Sequence, residues 1–352
     1  MSNPAASNSK VLDLQPGELV RVRSASEIFA TLDERGMLDD LPFMPEMLKY
    51  CGRTLPVTQR ADATCAGDGI VRMMPDTVHL RNIRCDGSFH DGCQAACLMY
   101  WKEAWLERAG DVGKAMPRTL DEREQAFVDE TLIPATRVER ENEPGPALYR
   151  CQATDIKKAS RPMRLREVDQ YARGLRNWTL PKLVVGLFTQ AINEWQAFSR
   201  NRLPKRLWIA RAERFPFVLG KLEKGTTPKG EPLNLQPGDL VRIKSKREIV
   251  ATLDKNNRNR ALSFDHEMAR FCGRTARVRS RVTRLIEEKN GEMIEIKSDC
   301  IILDGVVCPS DFHLFCTRGI YHYWREIWLE RIDVPEDHVP NAPCVVSRWS
   351  RA

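Results

Sequence analysis

The chain contains no apolar run of eighteen or more residues, so no segment is expected to cross a membrane as a helix. Its opening residues, MSNPAASNSK, lack the apolar centre of a secretory signal and are expected to form a frayed tail over 1–9. The expected compartment is therefore the cytoplasm. No glycine-rich loop has Walker or Rossmann spacing, and neither G-x-S-x-G nor H-E-x-x-H occurs. These absences remove the usual signatures of nucleotide binding, serine hydrolysis and helix-borne zinc proteolysis. Histidine is scarce, at 6 of 352 residues, and His79, His266, His322 and His338 have no counterpart elsewhere in the chain. None of these four is a strong catalytic candidate.

Cysteine, by contrast, is plentiful, with 11 residues. In a reducing compartment clustered cysteines bind metal more often than they pair, and an odd number argues against a complete disulfide framework. The net charge is +7 and the pI about 8.8, a balance compatible with an acidic partner such as nucleic acid, an acidic protein or an anionic lipid surface.

The chain also repeats itself. LDLQPGELVRVRSASEIFATLD at 12–33 returns as LNLQPGDLVRIKSKREIVATLD at 233–254. LPFMPEMLKYCGRT at 41–54 returns as LSFDHEMARFCGRT at 262–275, and YWKEAWLER at 100–108 as YWREIWLER at 323–331. The order is conserved and the offset shifts from 221 to 223, so two copies of one module are expected, at 10–110 and 231–333. A helical, basic linker region is expected at 111–230 and a C-terminal tail at 334–352. Residues 160–231 carry fifteen Lys or Arg against six Asp or Glu, and LPKLVVGLF lies within them, so peripheral contact with a membrane surface is a further expectation.

Each copy reads as a small α+β unit. GELVRVRS and GDLVRIKS alternate apolar and polar residues behind a Pro-Gly turn, which predicts a strand. Ser24 with Glu27, and Ser245 with Glu248, predict capping boxes that open short helices. Pro45 suits a first helical position, and Gly52 and Gly273 suit the residue past a helix end. Residues 281–303 predict two strands turning at Asn290-Gly291. Helical spacing runs through 117–134 and through 166–200, the latter interrupted near Pro181. The paired Tyr100, Trp101 and Trp105, matched by Tyr323, Trp324 and Trp328, are expected in the core rather than on a binding surface.

The opening PG-D/E-L-V-R-V/I followed by short strands resembles SH3-like barrels of the KOW and Tudor type. That resemblance implies two homologous SH3-like β-barrel domains with short inserted helices, joined by a helical middle segment. The tandem layout also resembles a group of bacterial proteins, a likeness that brings no activity with it.

The two copies share a chemical pattern. CDGSFHDGC at 85–93 is matched by CPSDFHLFC at 308–316, both Cys-x4-His-x2-Cys, and Cys51 is matched by Cys272. Cys51, Cys85, His90 and Cys93, and then Cys272, Cys308, His313 and Cys316, would complete two Cys3His sites. Two zinc ions per chain are therefore expected, stabilising modules with thin cores. The competing reading makes Cys51 and Cys272 small buried hydrophobes. The fourth ligand would then differ between copies, Cys65 or Cys97 in the first and Cys300 in the second. Glu46 and Glu267, in the repeated "EM", are expected either to orient a ligand histidine or to be exposed helix residues.

CDGSFH also resembles the CDGSH signature of a two-iron cluster family, which implies a cysteine and a histidine ligand to iron. Phe89 interrupts that signature, the upstream Cys-x-Cys pair is missing and the second copy departs from it. A cluster from Cys65, Cys85, Cys93 and Cys97 is the alternative cofactor, an iron–sulfur cluster confined to the first copy. Cys65 and Cys97 align with Ile286 and Ile320. The function expected is that of a zinc-stabilised binding or adaptor protein recognising an acidic partner. The alternative is a metal- or thiol-dependent enzyme of a bacterial biosynthetic or redox pathway working from the first copy.

Overall fold

The computed structural model describes residues 12–66, 70–110, 119–138, 145–163, 178–204, 206, 215 and 220–332. The expected tails at 1–9 and 334–352, and with them His338 and Cys344, lie outside the described residues, as do residues 164–177. Strands and helices mix throughout, so the chain is α+β. It forms two compact units, one comprising Met1–Glu194, Arg284–Glu295 and Ser310–Ile320, the other Trp195–Thr283, Ile296–Pro309 and Tyr321–Ala352.

In the first unit, Gly17 takes φ +93° in the Pro-Gly turn and launches β1 (Leu19–Val22). Ser24 then caps α1 (Ala25–Phe29): its side chain accepts from Glu27 N, and the Glu27 carboxylate accepts from Ser24 N at 3.0 Å. The later strands are β2 (Thr54–Arg60), β3 (Ala63–Cys65), β4 (Val71–Met73), β5 (Thr77–Leu80), β6 (Trp101–Lys102), β7 (Leu106–Arg108) and β8 (Arg161–Pro162). The main sheet is antiparallel in the order β6-β5-β2-β1-β7, and a smaller sheet runs β8-β4-β3. The hairpin of Arg284–Ile286 and Met293–Glu295 belongs to this unit and turns through Gly291 at φ +79°.

The second unit repeats the plan. Its strands β9 (Leu240–Ile243), β10 (Thr275–Arg281), β11 (Ile301–Leu303) and β12 (Leu329–Arg331) lie in the order β11-β10-β9-β12. This is the order of β5-β2-β1-β7 in the first unit. Val20 pairs with Leu55 and Arg108, while Val241 pairs with Ala276 and Arg331. Even the irregularity in β2 between Val57 and Gln59 recurs in β10 between Val278 and Ser280. Both sheets are open among the described residues; neither closes into the barrel that the sequence resemblance implied. With four or five short strands, each sheet instead covers one face with its Trp-Phe core.

The tandem tryptophans are entirely core. Trp101, Trp105, Trp324 and Trp328 are fully buried. Phe43 meets Trp105 edge-on at 5.2 Å between centroids, and Phe264 meets Trp328 at 5.6 Å. Each inner indole finds a hydroxyl: Trp105 Nε1 donates to Thr31 Oγ1 at 3.1 Å and Trp328 Nε1 to Thr252 Oγ1 at 2.9 Å. YWKEAWLER is neither a helix nor a plain strand. A single 3-10 turn, Glu103–Trp105, swings Trp105 inward before β7 begins, and Glu326–Trp328 does the same in the second unit.

Between the two copies, Asp121 and Glu124 form a capping box on α2 (Glu122–Phe127), which widens into a π-helical turn over Val128–Leu132. Helix α3 (Leu180–Arg202) is continuous. Pro181 sits in its first turn, where the missing N–H costs nothing, rather than breaking it. Leu180, Val184, Phe188, Trp195 and Phe198 are exposed along this helix. No helix among the described residues is long and apolar enough to cross a membrane.

Candidate metal centre

The loop carrying the first Cys-x4-His-x2-Cys pattern is closed at its base. Cys85 N donates to Cys97 O at 2.9 Å, and Arg84 and Leu98 form an antiparallel bridge. Within it, His90 N and Gly92 N both donate to Gly87 O at 3.0 Å, and Cys93 N donates to His90 O at 3.1 Å. Gly87 holds φ +75°, and a Cβ there would stand 2.1 Å from the Cys93 carbonyl oxygen, so this turn requires glycine. The winding brings His90 Nδ1 back to 3.8 Å from Cys85 Sγ.

The third group comes from the 3-10 helix Pro45–Tyr50, whose first position is the expected Pro45. Its second residue, Glu46, turns inward and is 4% exposed. Glu46 Oε1 lies 3.2 Å from Cys85 Sγ and 3.8 Å from His90 Nδ1. A tetrahedral ion with bonds of about 2.0–2.3 Å needs ligand–ligand edges of roughly 3.3–3.6 Å, so the three atoms form a triangle of fitting size. Glu46 Oε2 is buried and makes no hydrogen bond, a cost that a cation would offset. Gly87 N donates to Cys85 Sγ at 3.4 Å, a bond that favours a thiolate. Burial, the Glu46 carboxylate and Cys97 together push the Cys85 thiol well up, so it donates its proton to Glu46 when no cation is present. Burial lowers His90 from its ordinary value, against the pull of Glu46, the Arg150 backbone and Asp86, which keeps the ring neutral and available as a ligand.

The triad opens into a pocket of about 560 Å³, mouth included, lined also by Cys93, Cys97, Tyr100, Cys151, Gln152 and Arg318. Burial is the main cause that pushes the Cys97 thiol up to about 11, with Glu288 adding and Arg318 opposing, and it pushes Cys151 up to about 12. Arg318 is buried and paired with Glu288. In the second unit Glu267, also buried, and Cys308 place their ligand atoms within 4.8 Å of each other. The histidine at the matching spacing from Cys308 is His313.

The residues named from sequence thus part company. Cys85 and His90 come together, joined by Glu46. Cys51 stands outside the group: it caps the 3-10 helix, with its N–H on Leu48 O at 3.0 Å, and packs half-buried on the core. Cys272 likewise stands half-buried past the short helix His266–Ala269, with burial raising its thiol. In each copy the carboxylate five residues before the cysteine takes the place beside the loop. The reason is position along the helix: Glu46, in the first turn, reaches Cys85 and His90, whereas Cys51 and Cys272, beyond the helix ends, pack on the cores of their modules. Cys93 lines the pocket but packs with Tyr149 and Ile286. Cys316 lies against Cys65, their sulfurs 2.9 Å apart. Cys65 is not among the pocket residues, and Cys65, Cys85, Cys93 and Cys97 do not form one close group among the described residues. Glu46 and Glu267 were visible in the sequence as a repeated acid, but Cys151, Glu288 and Arg318 carried no local signal.

His79 is a core histidine. Nδ1 bonds to Met99 O at 2.8 Å, the ring lies 4.6 Å from that of Tyr100, and burial lowers it to about 4. Asp33 and Asp254, in the repeated "TLD", accept backbone N–H groups of the turns that follow, Arg35 and Met37 in one copy and Asn256 and Arg258 in the other. No family model, no curated protein and no solved structure matches the chain.

Proposed function

We propose that this chain is a zinc-dependent binding protein built from two SH3-like modules, each stabilised by one zinc ion. The observation that carries the reading is the Glu46–Cys85–His90 triangle with its unpartnered buried carboxylate oxygen. Mixed carboxylate, thiolate and imidazole donors suit Zn²⁺. Three protein ligands leave one coordination position for a donor from outside, and the pocket beside the triad gives such a donor access. The repeated Glu, Cys and His of the second copy support a second ion of the same kind. Binding is favoured over thiol catalysis because burial keeps the pocket thiols Cys97 and Cys151 protonated near neutral pH.

The test is metal content on the full chain purified without chelator. Two zinc ions per chain are expected, falling to one in Cys85→Ala and to one in Cys308→Ala, with each variant losing the cooperative unfolding of its own module. Glu46→Gln should weaken zinc at the first site by at least about tenfold, whereas Cys51→Ala should leave two ions in place. Iron with inorganic sulfide, or full zinc retention in Cys85→Ala, overturns the assignment.

The partner is an acidic macromolecule, a reading supported by the net charge of +7 and the basic excess of residues 160–231. Described α3 adds an exposed apolar side and Arg200 and Arg202 in its last turn. Binding to a polyanion such as heparin or duplex DNA should fall at least tenfold between about 50 and 200 mM salt. Salt-independent binding, or none, refutes this part.

A further inference from the structure

Two thiols outside the metal triad call for an explanation. Cys65 ends β3, and Cys316 lies 251 positions further along the chain, yet their sulfurs stand 2.9 Å apart, about 0.9 Å beyond a covalent sulfur–sulfur bond. The backbone around them is already held in place. Thr317 Oγ1 donates to Ala63 O at 3.0 Å, and Gln59 Nε2 donates to Thr317 O at 2.8 Å. Leu314 and Phe315 pack with Ala63 and Met73 in one buried cluster. Segment 310–320 is thus laid along β3 by contacts on both sides of the cysteine pair.

The pairing is peculiar to this place in the molecule. The position matching Cys65 in the second copy is Ile286, and the position matching Cys316 in the first copy is Cys93, which packs with Tyr149 and Ile286 instead. Neither sulfur belongs to the Glu46–Cys85–His90 group. A cysteine kept only for packing would not need a second thiol against it, and among the described residues Cys65 and Cys316 belong to no close group of three or more His, Cys, Asp or Glu ligand atoms.

We propose that Cys65 and Cys316 are a redox pair whose oxidation fastens segment 310–320 to β3. The oxidant is a small hydroperoxide. One thiol, as its thiolate, attacks the peroxide oxygen; the O–O bond breaks, the alcohol leaves with the proton, and a sulfenic acid remains. The second thiol attacks that sulfur, forming the S–S bond and releasing water. Two thiols and one hydroperoxide thus give one disulfide, one alcohol and one water. The mutual hydrogen bond and burial keep the Cys65 thiol protonated, so the reaction is slow and selects small uncharged oxidants over bulky disulfides. The consequence is local. Segment 310–320 supplies Arg318 and Ile320 to the pocket wall, and the Gly319 carbonyl accepts from Arg84. A disulfide two residues before Arg318 removes the freedom of that wall to open.

The experiment is peptide mapping of the full chain after exposure to tert-butyl hydroperoxide, with remaining thiols alkylated and no reductant added. The expected product is the Cys65 peptide joined to the Cys316 peptide, lighter than their sum by two hydrogens and released by dithiothreitol. Amide exchange across 310–320 should slow at least several-fold in the oxidised form. Cys65→Ile, which installs the residue found at the matching position of the second copy, should abolish both effects. Recovery of Cys65 and Cys316 as alkylated thiols or as sulfinic acids, or a joined peptide involving Cys93 or Cys97 instead, overturns the proposal. The wild-type map decides even if Cys65→Ile unfolds, and its outcome does not depend on which metal the triad holds.

Discussion

Arg60 and Arg281 end equivalent strands, β2 and β10, and face equivalent glutamates, yet they live in different electrostatic worlds. Arg60 is 1% exposed; its guanidinium donates to Glu103 at 2.9 Å, to Leu14 O at 2.8 Å and through two nitrogens to Asp62. Burial opposes its charge, but Asp62 and Glu103 more than restore it. In the matching place Arg281 pairs with Glu326, and its side chain stays 35% exposed; Thr283 stands where the first copy has Asp62. The backbone function of the glutamates is the same in both: Glu103 accepts from Asp13 N and Leu14 N, and Glu326 from Leu233 N and Leu235 N. One module plan therefore tolerates either a buried, fully paired ion cluster or a surface-screened pair, and a single extra carboxylate decides which.

The largest expected effect follows from that contrast. Arg60→Ala leaves Asp62 and Glu103 buried without their cation and should destabilise the first unit by about 3–5 kcal/mol, whereas Arg281→Ala should cost about 1 kcal/mol or less. Chemical denaturation of both variants measures the difference; equal losses would show that the burial of Arg60 is not what sets its contribution.

A second contrast lies in the neighbouring strands. Leu80 and Leu303 occupy equivalent places, so buried His79 in β5 corresponds to Ile302 in β11. Because burial lowers His79 to about 4 against an unfolded value of about 6.5, the unfolded chain binds the extra proton between those limits. The neutral ring's contribution is complete above about pH 6.5 and is lost as pH falls toward 4, by a total on the order of 3 kcal/mol. The nearby cations, Arg84 and Arg318, also oppose protonation, while the Met99 carbonyl favours it. Thermal unfolding followed from pH 7 to 4 should show this loss in the first unit, and His79→Ile should flatten it. An unchanged slope in that variant would assign the pH response to other groups.

The smallest effect should be symmetrical. Ser24→Ala and Ser245→Ala each remove the acceptor of a capping box on an exposed helix start and should each cost about 1 kcal/mol. A difference larger than about 0.5 kcal/mol between them would mean that the two short helices do not contribute alike.

The ligand loops extend the comparison. Gly87 and Gly92 lie at φ +75° and +72°; the matching Ser310 and Phe315 lie at +56° and +55°. The left-handed backbone at these two positions thus recurs with glycine in one copy and without it in the other. The bond from Cys93 N to His90 O recurs as Cys316 N to His313 O, and glycine is demanded only at position 87, where the Cys93 carbonyl approaches closely.

Much of this was written locally. The Pro-Gly turns, the capping boxes, the Pro45 helix start, the left-handed Gly52 and Gly273 and the hairpin at Gly291 are short-range preferences of the backbone, so the residues themselves announce them. The matched spacing of Cys85 with His90 was legible for the same reason, since five residues in one tight loop cannot stray far apart. The choice of third ligand was not legible. Cys51 and Glu46 are equally plausible by chemistry, and only the direction in which the 3-10 helix faces the loop brings the carboxylate, not the thiol, to the site. Nor could a sequence scan place Cys316 against Cys65, or Arg318 and Cys151 around the pocket, because those contacts span tens to hundreds of residues. The sequence by itself determined the two copies, their local turns and caps, and the Cys–His half of each site. Tertiary structure decided the rest, because burial and long-range proximity are properties of the packed chain and of no segment within it.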